Sequence, residues 1–100
     1  MNTHSMKLVT VVCETLARDP IQALLAEVGA HDYTVCAVEG AGAKGERAGD
    51  IREFGNIQVE AIVQPAVAER LLSRLEREFF PRYTMIAYET DVRVLRGEKF

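Results

Sequence analysis

Pro20 and Pro65 each open a stretch whose apolar residues recur at helical spacing, and short β-branched runs flank each stretch. This doubled strand–helix–strand pattern leaves few folds open. In the first copy, "MKLVTVVC" (6–13) reads as a strand. Asp19 then serves as an N-cap with Pro20 at the first helical position. Ile21, Leu24, Leu25 and Val28 follow the i, i+3, i+4, i+7 rule, and Gly29 ends the helix. "YTVCAV" (33–38) is the second strand. In the second copy, "NIQVEAIVQ" (56–64) alternates, with Ile57, Val59, Ala61 and Val63 on one face and Gln58, Glu60 and Ile62 on the other. Val67, Leu71, Leu75 and Phe79 stripe the helix after Pro65, where Arg74 and Glu78 can pair across one turn. A turn around Pro81 leads into a long strand over 84–95. The order β-α-β, loop, β-α-β predicts an α+β, ferredoxin-like fold: one antiparallel sheet with both helices on one face.

One hundred residues suit a single domain, expected over 6–100 with 1–5 as a disordered leader. Hydrophobic residues at 48%, charged residues at 27% and a net charge of −3 describe a soluble protein and argue against a nucleic-acid coat. No apolar run reaches the ~18–20 residues of a membrane span. "MNTHSMKL" lacks the basic and apolar regions of a secretory signal. Cys13 and Cys36 lie in apolar strands, so both are expected to be buried free thiols in a reducing cytoplasm.

Two segments resist this simple picture. Leu8, Val9, Val11 and Val12 run almost unbroken, as do Met85, Ile86, Ala87 and Tyr88. A sheet with one solvated face should alternate. Apolar residues on both faces predict that other subunits cover the second face. The other segment is "EGAGAKGERAGDIREFG" (39–55), between strands two and three. Hairpin loops usually take about 2–5 residues, so this one is much longer than the fold needs. Its glycines let backbone N–H groups approach an anion, and Lys44, Arg47 and Arg52 can add charge-assisted hydrogen bonds.

Catalytic signals are weak. Gly40, Gly42 and Gly45 spell G-x-G-x-x-G, but a strand follows where a dinucleotide fold requires a helix. His4 falls in the leader, His31 in a surface turn, and Ser5 and Ser73 have no histidine nearby in sequence. No nucleophile or metal set emerges, which points to a binding protein rather than an enzyme.

Against this background, "YTVCAVEGAGAKGE" resembles the start of the long T-loop in the PII signalling family, through Thr34-Val35, Val38, Gly40-Ala41-Gly42 and Lys44-Gly45. "RVLRGE" resembles that family's Arg-x-Arg-x-Gly-Glu ending. The resemblance spans the chain from Met6 onward. Residues 39–58 hold no Tyr, Ser or Thr, so the family's modification switch is missing. "FPRYT" replaces the B-loop Gly-Asp-Gly-Lys, and Leu95 replaces the second arginine of the ending, with Arg96 one place later. These departures are similar to the PII-like branch associated with carboxysomes and bicarbonate transporters, whose shorter loops carry Lys-Gly-x-Arg, as Lys44-Gly45-Glu46-Arg47 does here.

The resemblance implies a cytoplasmic homotrimer with nucleotide clefts between subunits. The ligands it implies are ADP or AMP, with ATP and cyclic AMP as further candidates, and bicarbonate beside the phosphates. It implies no cofactor and an inorganic-carbon transporter as partner. Carried over residue by residue, Gly40, Gly42 and Gly45 shape the phosphate nest, and Lys44, Arg47 and Arg52 meet phosphate or bicarbonate. Thr34 contacts the base from a neighbouring subunit, Arg82 and Tyr83 stand in for the B-loop, and Arg93 and Arg96 reach the phosphates. The alternatives are a CutA-like structural or metal-tolerance trimer, which lacks a glycine-basic loop, and an acylphosphatase-like enzyme, for which Arg18 would be the anion cradle.

Overall fold

A computed structural model describes residues 2–40 and 55–96. Strand β1 (His4–Glu14) leads through a 3-10 turn (Thr15–Ala17) into helix α1 (Arg18–Val28) and strand β2 (Tyr33–Val38). Strand β3 (Asn56–Val63) leads into helix α2 (Pro65–Arg74), a π turn (Leu75–Phe79) and strand β4 (Met85–Val94). The sheet order is β2-β3-β1-β4 with every neighbouring pair antiparallel. That is the ferredoxin-like arrangement anticipated from the pattern.

The helices cover one face. Val9, Val11 and Cys13 of β1 and Ile57, Val59, Ala61 and Val63 of β3 are buried there, together with Ile21, Leu24, Leu25 and Val28 of α1. Leu71 and Leu75 of the second helical segment are 1% and 0% exposed. Burying one such side chain contributes roughly 1.5–3 kcal/mol. The helices are also clamped to each other by polar contacts. Arg74 donates to Glu78 at 2.6 Å and to Glu27 of α1 at 2.9 Å, while Arg70 donates to the Val28 carbonyl at 3.2 Å. These bonds hold the Arg74 guanidinium well above its ordinary range, Glu78 contributing most, and hold the Glu78 carboxyl below the usual carboxylate range.

Several sequence expectations are corrected. Asp19 is not the N-cap: β1 exits through the 3-10 turn, so Ala17 takes that place with right-handed helical angles. Asp19 instead lies in the first turn, where its charge still favours the helix dipole. Gly29 does end α1 with a φ of 89°, a left-handed conformation that favours glycine. His4 and Ser5, expected in a disordered leader, extend β1 and pair with Val94 and Arg93. Cys13 is buried as expected, and burial pushes its thiol up to about 11. Cys36 is exposed, because even-numbered residues of β2 point away from the helices.

Among the described residues, no helix lies on the second face. Leu8 and Val12 of β1, Ile62 of β3, and Ile86 and Tyr88 of β4 share it. Ile86 and Tyr88 are 58% and 48% exposed in the single chain. One polar row crosses this apolar surface: Thr34, Glu60, Thr10 and Tyr88 stand opposite one another across all four strands. Thr10, at 2% exposed, is the buried polar residue of that row.

Candidate functional site

The four strands gather chemistry-bearing residues at their two ends. At one end, Val38 pairs with Asn56 and Asn56 with Glu14. Gly40 lies just beyond β2, exposed, and a Cβ there would meet none of the described residues within 4 Å. Gly55 enters β3 with a φ of 71°, another left-handed turn, and its carbonyl accepts the Thr15 N–H at 3.2 Å. The turn before β4 reaches this same end. Its shape comes from the π turn, which closes with the Phe80 N–H donating to the Leu75 carbonyl at 3.0 Å. The Arg82 and Tyr83 N–H groups then both donate to the Phe79 carbonyl at 2.9 Å, and the Tyr83 ring rests 5.8 Å from that of Phe79. Residues 80–85 line an open groove of about 410 Å³, from which Arg82 projects to solvent.

One carboxylate ties these pieces together. Glu14 ends β1 and accepts the Thr84 N–H at 2.8 Å. The same residue neighbours Asn56, whose Oδ1 is buried without a hydrogen-bond partner among the described residues.

At the opposite end, β1 and β4 run on past β3 as a two-stranded ribbon in which Ser5 faces Arg93; just before it Lys7, flanked by Val63 of β3, faces Asp91. Lys7 pairs with Asp91 and, at 3.7 Å, with Glu89. The Asp91 hydrogen bond is the main cause that raises Lys7 above its ordinary value. A groove of about 590 Å³ is lined by Ser5, Met6, Lys7, Pro65, Asp91 and Arg93, among others. Arg93 and Arg96 are exposed at this end.

The sequence-predicted residues are thus divided. Gly40, Arg82 and Tyr83 share the first end, and Arg93 and Arg96 occupy the second. The eight steps from Met85 to Arg93 span ~26 Å of extended chain. Thr34 belongs to neither group; it is exposed mid-strand in the polar row, opposite Glu60. Glu60 accepts a hydrogen bond from Gln58 at 3.3 Å. Gly42, Lys44, Gly45, Arg47 and Arg52 lie outside the described residues. Glu14 was missed from sequence because its role depends on two strand pairings and a distant turn. The alternation around Glu60 put it on the helix-free face without revealing which residues it meets.

Among the described residues, no three His, Cys, Asp or Glu side chains gather as a metal site, and no helix is long and apolar enough to cross a membrane.

Residues 6–99 match the family model described as nitrogen regulatory protein P-II. No curated protein matches the chain by sequence. Among solved structures, a candidate PII-like signalling protein from Thermus thermophilus is 39% identical, with a TM-score of 0.84 over 100% of this chain and 99% of its own. CPII, a PII-like protein from Thiomonas intermedia solved with ADP and bicarbonate, is 23% identical, with a TM-score of 0.87 over 99% of this chain and 97% of its own. CPII solved with ADP, AMP and bicarbonate gives a TM-score of 0.81 at 21% identity, over 95% and 98% of the two chains.

Proposed function

The chain belongs to the nitrogen regulatory protein P-II family, and from that premise we propose a trimeric PII-like signalling protein that binds adenine nucleotides between its subunits. ADP and AMP are the preferred ligands, ATP and cyclic AMP the further candidates, and bicarbonate binds beside the phosphates. Binding, not turnover, is the output, and the protein works in the cytoplasm.

The observation that carries this reading is the division of the candidate residues. Arg82 and Tyr83 stand at one end of β4 and Arg93 at the other, so one chain cannot bring both groups to one small anion. A neighbouring copy that offers its Arg93 end to the first chain's Arg82 end completes the cleft. The helix-free face, with Ile86 and Tyr88 exposed, supplies apolar surface for such an assembly. Each protomer then gives two different surfaces, a head-to-tail geometry that closes into a ring.

In this reading Gly40, Gly42 and Gly45 let backbone N–H groups reach the phosphates, and Thr34 meets the base. Lys44, Arg47 and Arg52 hold the phosphate or bicarbonate anion. Bound anion favours one arrangement of residues 39–55 by its differential affinity, and that arrangement is what a partner, an inorganic-carbon transporter, reads. The family match leaves the CutA-like and acylphosphatase-like alternatives without a supporting observation.

Isothermal titration of ADP, AMP and cyclic AMP, with and without bicarbonate, tests the proposal. Heat of binding is expected for ADP or AMP, in a particle of three chains. Arg47→Ala should weaken it at least tenfold, about 1.4 kcal/mol. Absence of heat with every nucleotide would end the nucleotide reading.

A further inference from the structure

We infer that Glu14 is a positioning and selectivity residue of the proposed cleft. It fixes the turn that presents Arg82, and its charge disfavours ligands with longer phosphate chains. This inference rests on the nucleotide reading above and says which member of that ligand class the site prefers.

The position of Glu14 carries the argument. In the order β2-β3-β1-β4, the end of β1 lies between the end of β2 and the start of β4. Glu14 therefore stands between the strand end that leads to Gly40 and the turn that carries Arg82 and Tyr83. Through Asn56, it is two strand spacings from Val38, ~10 Å across the sheet. On its other side its carboxylate accepts the Thr84 N–H at 2.8 Å. That N–H lies outside the regular pairing of β4, which begins at Met85. With Arg82 and Tyr83 held to the Phe79 carbonyl and Thr84 held to Glu14, the turn is fixed at both its ends.

The same carboxylate places negative charge among groups otherwise suited to anions. A ligand must gain more from Arg82 and its neighbours than it loses to Glu14. Each added phosphate brings further charge into the same field, so the penalty grows from AMP to ADP to ATP. Charge–charge interactions are screened over ~8 Å at physiological salt and reach ~30 Å at 0.01 M. Selection of this origin strengthens as salt is lowered.

Two variants separate the roles. Glu14→Gln keeps an oxygen acceptor and removes the charge; Glu14→Ala removes both. AMP, ADP and ATP are titrated into the full-length chain and both variants at low and high salt, and amide hydrogen exchange is followed at Thr84 without ligand. Glu14→Gln is expected to raise ATP affinity relative to AMP by about three- to fivefold at low salt, with the gain fading at high salt. Thr84 exchange should stay slow in Glu14→Gln and quicken at least tenfold in Glu14→Ala. An unchanged ATP-to-AMP ratio in Glu14→Gln, with the original chain binding both, overturns the selectivity role alone. Equal Thr84 exchange in all three chains overturns the positioning role. A starting chain that binds none of the three nucleotides removes the parent reading and the selection together.

Discussion

On the helix side of the sheet, Val9, Val11 and Cys13 are between 1% and 3% exposed; on the other side, Ile86 and Tyr88 are 58% and 48% exposed. Both sets come from neighbouring strands of one sheet, and both are apolar. The difference lies in what each side meets. The helix-facing residues interlock with the α1 and α2 stripes and are satisfied within one chain. Those on the far side are also apolar, and no helix or strand among the described residues lies over them. A face of that kind is suited to association, whereas the covered face completes the fold.

Breaking the covered side should have the largest effect. Leu75→Ala removes a side chain with no exposed surface and should cost ~2–5 kcal/mol in denaturant unfolding. The next effect is expected on the open side. Ile86→Asp should leave the protomer folded by circular dichroism and shift the mass of the proposed trimer in light scattering from three chains to one, a loss of about 2–3 kcal/mol of association, consistent with a buried unpaired charge. A trimer that survives this change places the interface elsewhere.

The cysteines sharpen the comparison. Cys36 is exposed in the single chain and Cys13 is buried, its thiol pushed up to about 11. A thiol reagent should find Cys13 slow in every state. Cys36 should react faster in Ile86→Asp than in the assembled protein, if its neighbours cover that face; equal rates would separate Cys36 from the interface. The smallest effect concerns the helix clamp. Because Arg74 lowers the Glu78 carboxyl, its contribution is fully present above the unfolded carboxylate value, ~4.3, and is lost as pH falls through the lower folded value. Tm should fall slightly less between about pH 6 and pH 3 in Glu78→Gln than in the parent chain, since that variant has no such contribution to lose.

Elements with strong local signals were legible in the sequence. Pro65, the apolar stripe after it and the alternation of 56–64 depend on near neighbours, so reading them required no tertiary knowledge. Asp19 shows the limit: its N-cap chemistry was sound, but the 3-10 turn had already started the helix one turn earlier. Cys36 shows another. Its strand was legible, but which alternate residues face the helices is fixed only by pairing with β3. For the candidate site, resemblance supplied the residues to look for, and their separation was not legible. That Arg82 and Arg93 lie at opposite ends follows from the length of β4, and Glu14 meets the Thr84 N–H only when β1 and the turn before β4 come together.

The span of β4 has a genetic consequence. In the ring proposed above, a chain lacking Arg82 would spoil one wall of one cleft, and a chain lacking Arg93 the opposite wall of another. Neither mutant alone forms an intact pocket, but co-expressing the two regenerates one wherever a sound Arg82 end meets a sound Arg93 end. The two lesions are therefore expected to complement within mixed oligomers, as lesions confined to a single-chain pocket would not.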